Sequence, residues 1–170
     1  MRAHGGACAS IYTRGSYQSA DLDFILMSAV SRARLDAAMA AAGFSRRGDR
    51  YVHPRSRFFV AFPAGPLGIG SDLRIQPSVY RRRGSRLILL SPTDSTRDRL
   101  AAFYHWSDRQ SLRTAVRIAL RHRVDLDRIR TWSIGEGAAA GFAEFVAELA
   151  RSRRRRRTRT KRPARRSPPR

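Results

Sequence analysis

The chain is poor in the residues that build covalent cross-links and soft-metal cages. Cys8 is its one cysteine, which excludes an internal disulfide and any cysteine-based zinc cluster. As a small apolar residue in a helix-compatible run, Cys8 reads as core. His4, His53 and His122 are scattered without metal-ligand spacing. No apolar run approaches membrane-spanning length, and the first residues lack a signal-peptide pattern, so the expectation is a cytoplasmic protein without membrane contact. Acids are scarce: 13 Asp and Glu face 35 Lys and Arg, a formal net charge of +22. The extreme is residues 151–170, with 11 Arg, one Lys and no acid. That stretch supplies +12 and the preceding 150 residues the other +10, so the basic balance is general and the tail is its peak.

What is present describes one domain, since 170 residues at 42% hydrophobic bury one core rather than two large ones. Its most informative stretch is residues 5–26, GGACASIYTRGSYQSADLDFIL. Residues 21–26 are apolar enough for a buried strand, and the period of two puts Asp21 and Asp23 on one face with Leu22 on the other. Two carboxylates on one face repel unless water, an arginine or a hard divalent cation offsets them. Upstream, Gly5-Gly6 followed by a helix-compatible run, Ala7 to Tyr12, lets backbone approach a phosphate while a helix N-terminus faces it. The chain opens only four residues before Gly5, so a preceding helix or strand is either cut short or dispensed with.

Gly5-Gly6, a spacer and Asp21-Leu22-Asp23-Phe24 together resemble the signature of the DNA polymerase β nucleotidyltransferase superfamily. The nearest branch is the bacterial abortive-infection type IV toxin nucleotidyltransferases and their relatives. The resemblance implies that Gly5 and Gly6 lie on the phosphates of a nucleoside triphosphate. It also implies that Asp21 and Asp23 are metal ligands and catalytic acids, with Mg2+ as cofactor. A toxin of that branch is expected beside an antitoxin partner protein.

Downstream, Ser31 caps a helix running to about Ala42, with Leu35, Ala38, Met39 and Ala42 facing the core and Gly43 as its stop. Residues 44–46 and 50–53 read as short strands around a turn, and 57–62 as a third. A loop follows at 63–70, then strands at 72–75 and 86–90 flanking a basic turn, Arg81-Arg82-Arg83-Gly84. The resemblance also implies a third carboxylate near Ala61. The strand has none there, and the next acid is Asp72, beyond the loop. An efficient two-metal reaction is less expected than single-cation binding.

The second half is helical. Ser91-Pro92-Thr93-Asp94 is a helix start, with Ser91 as N-cap, Pro92 at N1 and Asp94 at N3, and that helix runs to about His105. Further helices are expected at 107–121, with Leu112, Val116, Ala119 and Leu120 on one face, at 125–132, and at 136–150, with Phe142, Phe145, Val146 and Leu149 at core spacing. Residues 91–110, SPTDSTRDRLAAFYHWSDRQ, again resemble that branch, in which such a segment lends side chains to the cleft. On that resemblance Arg97 and Arg109 meet the triphosphate and Asp108 orients it or acts as a base; otherwise the three form surface ion pairs. His105 and Trp106 pack the corner between two helices, or Trp106 stacks on a nucleobase. The tail lacks apolar residues and repels itself, so it is expected to be disordered, either silent or holding RNA or DNA phosphates through Arg153, Arg154, Arg155, Arg156 and Arg157.

The expectation is an α+β protein. A nucleotidyltransferase-like mixed sheet with flanking helices occupies 1–90, a helical bundle of the same domain 91–150, and a basic tail 151–170. Three functions fit: nucleotidyl transfer to an RNA, protein or small-molecule acceptor; a catalytically impaired relative that binds a nucleotide or partner; or a basic nucleic-acid-binding protein whose Asp pair is structural.

Overall fold

The computed structural model describes residues 2–3, 5–26, 28–75, 77–82 and 84–160. His4, Arg83 and residues 161–170 of the expected tail lie outside them. The architecture is α+β, with a seven-stranded mixed sheet and six helices. β1 (Arg2–Ala3), β2 (Asp21–Ile25), β3 (Ser45–Arg47), β4 (Arg50–Val52), β5 (Phe59–Ala61), β6 (Pro77–Arg82) and β7 (Ser85–Leu90) lie in the order β3-β4-β5-β2-β1-β7-β6. β1 is the element that precedes the glycine turn. Its two residues pair antiparallel with β2 (Ala3 opposite Phe24) and parallel with β7 (Ala3 opposite Leu89), so it lies inside the sheet.

Helix α1 (Gly5–Tyr12) leaves β1 at the glycine pair and buries Ala7, Cys8, Ala9 and Tyr12 against the sheet. The Tyr12 hydroxyl donates to the Leu90 carbonyl at 2.6 Å, which ties the helix to β7. α2 (Arg32–Ala41) has the expected local signals: Ser31 Oγ accepts from the Arg34 amide, and Gly43 follows at φ +82°. Its expected core face is narrower, because Leu35 alone is buried, against Tyr51 of β4 and Val60 of β5.

Two strand expectations need correction. Residues 72–75 form no strand; they make one isolated bridge, Ile69 to Asp72, because their polar groups are taken by helices rather than by a ladder. The sixth strand is Pro77–Arg82 instead, in a tight hairpin with β7 that pairs Arg82 with Ser85. Pro77 opens that strand, a position where a missing N–H is tolerated, and arginines mask the rest of its pattern.

α3 (Pro92–Trp106), α4 (Arg109–Arg121), α5 (Leu126–Gly135) and α6 (Ala139–Thr160) complete the chain. Ser91 caps α3 by accepting from the Asp94 amide at 3.0 Å. The main core lies between α1, the β7 side of the sheet and these helices, around Leu89, Leu90, Leu100, Leu112, Ile118 and Phe145. Disorder from Arg151 is overturned for its first half: α6 is helical to Thr160. Phe145 and Leu149 anchor the helix in the core. Arg151 pairs with Glu148 one turn back, and arginine itself disfavours helix little.

Candidate functional site

The registers of three strands build the site. β2 and β5 run parallel with Asp21 opposite Phe59, Leu22 opposite Val60 and Asp23 opposite Ala61. Alternation therefore turns Leu22 and Val60 toward Leu35 and Tyr51, and sends Asp21, Asp23 and Ala61 to the other face. On the other side of β2, the antiparallel pairing of Ala3 with Phe24 carries the chain to Gly5 beside Asp23. A Cβ added to Gly5, which sits at φ +60°, would lie 3.5 Å from Asp23 Oδ2 and 3.9 Å from Arg99 Nη2. Gly6 is tighter: a Cβ there would overlap the Ser19 side chain and stand 3.2 Å from the Tyr17 hydroxyl. Only glycines fit where helix, turn and strand converge.

The result is a cleft of about 480 Å³ whose walls include Gly5, Gly6, Asp21, Asp23, Arg99 and Trp106. Ser19 Oγ donates to Asp21 Oδ1, so the hydroxyl pressed on the glycine turn also holds the first acid. Residues 68–70 close the far wall. From α3, Arg99 grips Asp98 with Nε at 2.9 Å and Nη2 at 2.8 Å. Burial opposes the charge on Arg99, yet Asp98, Tyr17 and Asp108 hold its pKa above the usual arginine value. Trp106 stands 75% exposed at the cleft, so the corner-packing expectation is corrected for it, and the left-handed Ser107 turns the chain away beyond it.

Three carboxylates, Asp21, Asp23 and Asp98, thus share the cleft with one guanidinium, that of Arg99. Among the described residues no group of three or more His, Cys, Asp or Glu gathers as a metal cage. Two strand carboxylates suit magnesium nonetheless, because that ion keeps waters and takes one or two carboxylates plus the phosphates of its nucleotide. Asp21 and Asp23 are the residues that would hold it.

Of the residues expected at the site, the structure brings together Gly5, Gly6, Asp21 and Asp23. The other three lie elsewhere. Arg97 is fully buried between Asp94 (Nη1 to Oδ1, 2.8 Å) and Asp72 (Nη2 to Oδ2, 2.6 Å), with its guanidinium 4.9 Å from the Trp132 ring centroid. It lines a second cavity of about 830 Å³ on the other side of the loop, with Arg128 and Trp132. Arg109 pairs with Glu144 and covers Phe103. Asp108 caps α4, accepting from the Gln110 amide at 2.8 Å and from Ser111 Oγ at 2.7 Å. That hydroxyl above all holds the Asp108 carboxyl below the usual range, a poor state for a general base.

Tyr17, Ser19, Asp98 and Arg99 are cleft residues that sequence reasoning missed. Ser19 stands two residues before Asp21, the same-face spacing, and Arg99 is two residues beyond Arg97. On a helix that is a turn of about 200°, enough to move from one cavity to the other. Cys8 is inert core: burial pushes its thiol up to about 12, and its Sγ donates to the Ala3 carbonyl.

No protein-family model, no curated protein and no solved structure matches this chain. The cleft's chemistry is therefore read from its own residues. No helix among the described residues is long and apolar enough to cross a membrane.

Proposed function

We propose that the chain is a nucleotidyltransferase-type protein that binds a magnesium nucleoside triphosphate in the β2 cleft. One observation carries this reading: the glycine turn and the Asp21–Asp23 pair, 15 residues apart at their closest in sequence, meet within contact distance in a cleft that an exposed indole also lines. Bare, the cleft would repel a triphosphate, because Asp21, Asp23 and Asp98 outnumber Arg99. A divalent cation removes that conflict and, when bound, polarises the phosphoryl group for attack. Gly5 admits phosphate oxygens to the backbone, and Arg99, fixed by Asp98, meets phosphate with a guanidinium already oriented. Trp106 offers a face for the base.

Ala61 favours a second reading of the same site. It occupies the place across from Asp23 where, about 4.8 Å away on the neighbouring strand, a third carboxylate would take the proton of an attacking hydroxyl. With a methyl group there, the protein binds nucleotide and transfers it slowly or not at all.

Calorimetric titration of each nucleoside triphosphate into the full chain, with and without magnesium, tests the site. A D21N/D23N variant runs in parallel, since the basic helix attracts triphosphate regardless of metal. Magnesium-dependent binding lost in the variant is the expected result. Equal binding by both proteins overturns the reading.

A further inference from the structure

We propose that the C-terminal half of α6 and the outer row of α4 form one surface that binds duplex DNA through its phosphate backbone, independently of the cleft. Helices α4 and α6 run side by side in the same direction. Arg109, at the start of α4, pairs with Glu144, and Arg156 Nη1 donates to the Leu120 carbonyl at the end of α4 at 3.0 Å. Eleven residues along one helix thus match twelve along the other, and both basic ends fall at the same end of the protein.

On α4, Arg113, Arg117 and Arg121 recur every four residues, a single row. Arg113 and Arg121 are exposed, and half-buried Arg117 is oriented by donating to the Ser16 carbonyl at 2.9 Å. Beside them Arg151 and Arg153 to Arg157 are exposed on α6, and no acid follows Glu148, which already pairs with Arg151.

Charge spacing and side-chain type select the partner. Residues 151–160 carry seven arginines over about 15 Å of helix, a density close to the one phosphate per ~1.7 Å of a DNA duplex. Of the 35 basic residues in the chain, 34 are arginine, the side chain that grips phosphate bidentately. The strip offers no exposed Phe, Trp or Tyr on which unpaired bases would stack, which disfavours single strands. Arginines surround the α6 end and leave no apolar face to enter a lipid interface. A helix of about 10–12 Å diameter also enters the major groove of B-form DNA, whereas the A-form groove of duplex RNA is too narrow.

The test is fluorescence anisotropy of a short labelled DNA duplex of mixed sequence, titrated with the full chain between about 50 and 200 mM salt. The logarithm of affinity should fall linearly with the logarithm of salt. R113Q/R121Q, which spares the bond to Ser16, should flatten that slope by about 1.8, since each lost phosphate contact removes ~0.9. Replacing Arg153, Arg154, Arg155 and Arg157 by glutamine, which spares the bond from Arg156 to Leu120, should flatten it by about 3.6 on the same basis. R113K/R121K should keep the wild-type slope to within a few tenths. A wild-type slope in R113Q/R121Q overturns the two-helix surface. Duplex RNA, single-stranded DNA or phosphatidylglycerol vesicles bound as tightly at equal phosphate concentration overturn the choice of duplex DNA.

Discussion

On the proposed function, Ala61 is the residue on which chemistry turns. Its β-carbon is the direct cross-strand neighbour of Asp23, on the face that carries both acids, so a carboxylate introduced there needs no backbone change to reach the cleft. Ala61→Glu is expected to raise magnesium-dependent transfer of label from a nucleoside triphosphate by about a hundredfold, the low side of what a positioned base contributes. An unchanged rate in a variant that still binds nucleotide would show that the missing acid is not what limits the reaction. Arg97 and Arg99 teach the complementary lesson about single residues. Both sit on α3 two residues apart, and both are arginines; which one meets the cleft depends on how α3 is rotated against the sheet. That phase is set by Leu100 and its neighbours in the core, and nothing adjacent in sequence encodes it.

Among elements, local signals and tertiary ones separate cleanly. The caps at Ser31, Ser91 and Gly43, the acidic strand β2 and the order of the helices were all legible, because each is decided within a turn or two of chain. Residues 72–75 were not, since their alternation suits a strand and their fate is decided by distant helices. Asp72 is claimed by Arg97 of α3, the Ser71 amide and hydroxyl by Glu136, the Arg74 carbonyl by Arg128, and the Ile69 carbonyl by the Trp132 indole. The loop between the two cavities is thus a strap with four ties, two of them carboxylates. Burial opposes ionisation of Asp72 and Glu136, but the Arg74 amide and Arg97 for the first, and the Ser71 amide and hydroxyl for the second, hold both below their ordinary values. Folded values below the unfolded ones, about 3.9 and 4.3, give stability that is present above that range and lost as pH falls through it. The midpoint of thermal unfolding should therefore stay level from pH 7 to about 5 and drop below about 4, more gently in Asp72→Asn, which starts lower. Removing that carboxylate leaves buried Arg97 short of a partner, a loss that reaches about 3–5 kcal/mol when a buried pair is broken. A midpoint indifferent to acid would mean that the strap contributes nothing to stability.

For the whole molecule, the sheet divides around β1. Strands β3, β4, β5 and β2 lie on one side of it and β7 and β6 on the other, and the ladder between the two groups passes through Arg2 and Ala3. Asp21 and Asp23 belong to the first group, while Arg99 and Trp106 follow from the second, so the cleft straddles the division. A nucleotide bound as proposed would touch both groups at once. Amide hydrogen exchange at Ala3 and across the Phe24 and Leu89 registers should slow when magnesium nucleotide binds, by more than exchange in the β6–β7 hairpin slows. Equal slowing everywhere would point to global stabilisation alone.

The two-residue β1 clasp would give the proposed nucleotide cleft a physical readout. Fluorophores placed on exposed Ala37 and Val79, one over each group of strands, would register any parting or closing of the two halves as a change in energy transfer. On the proposed reading, the cleft would then signal occupancy without turnover, the behaviour expected of a sensor rather than of an enzyme.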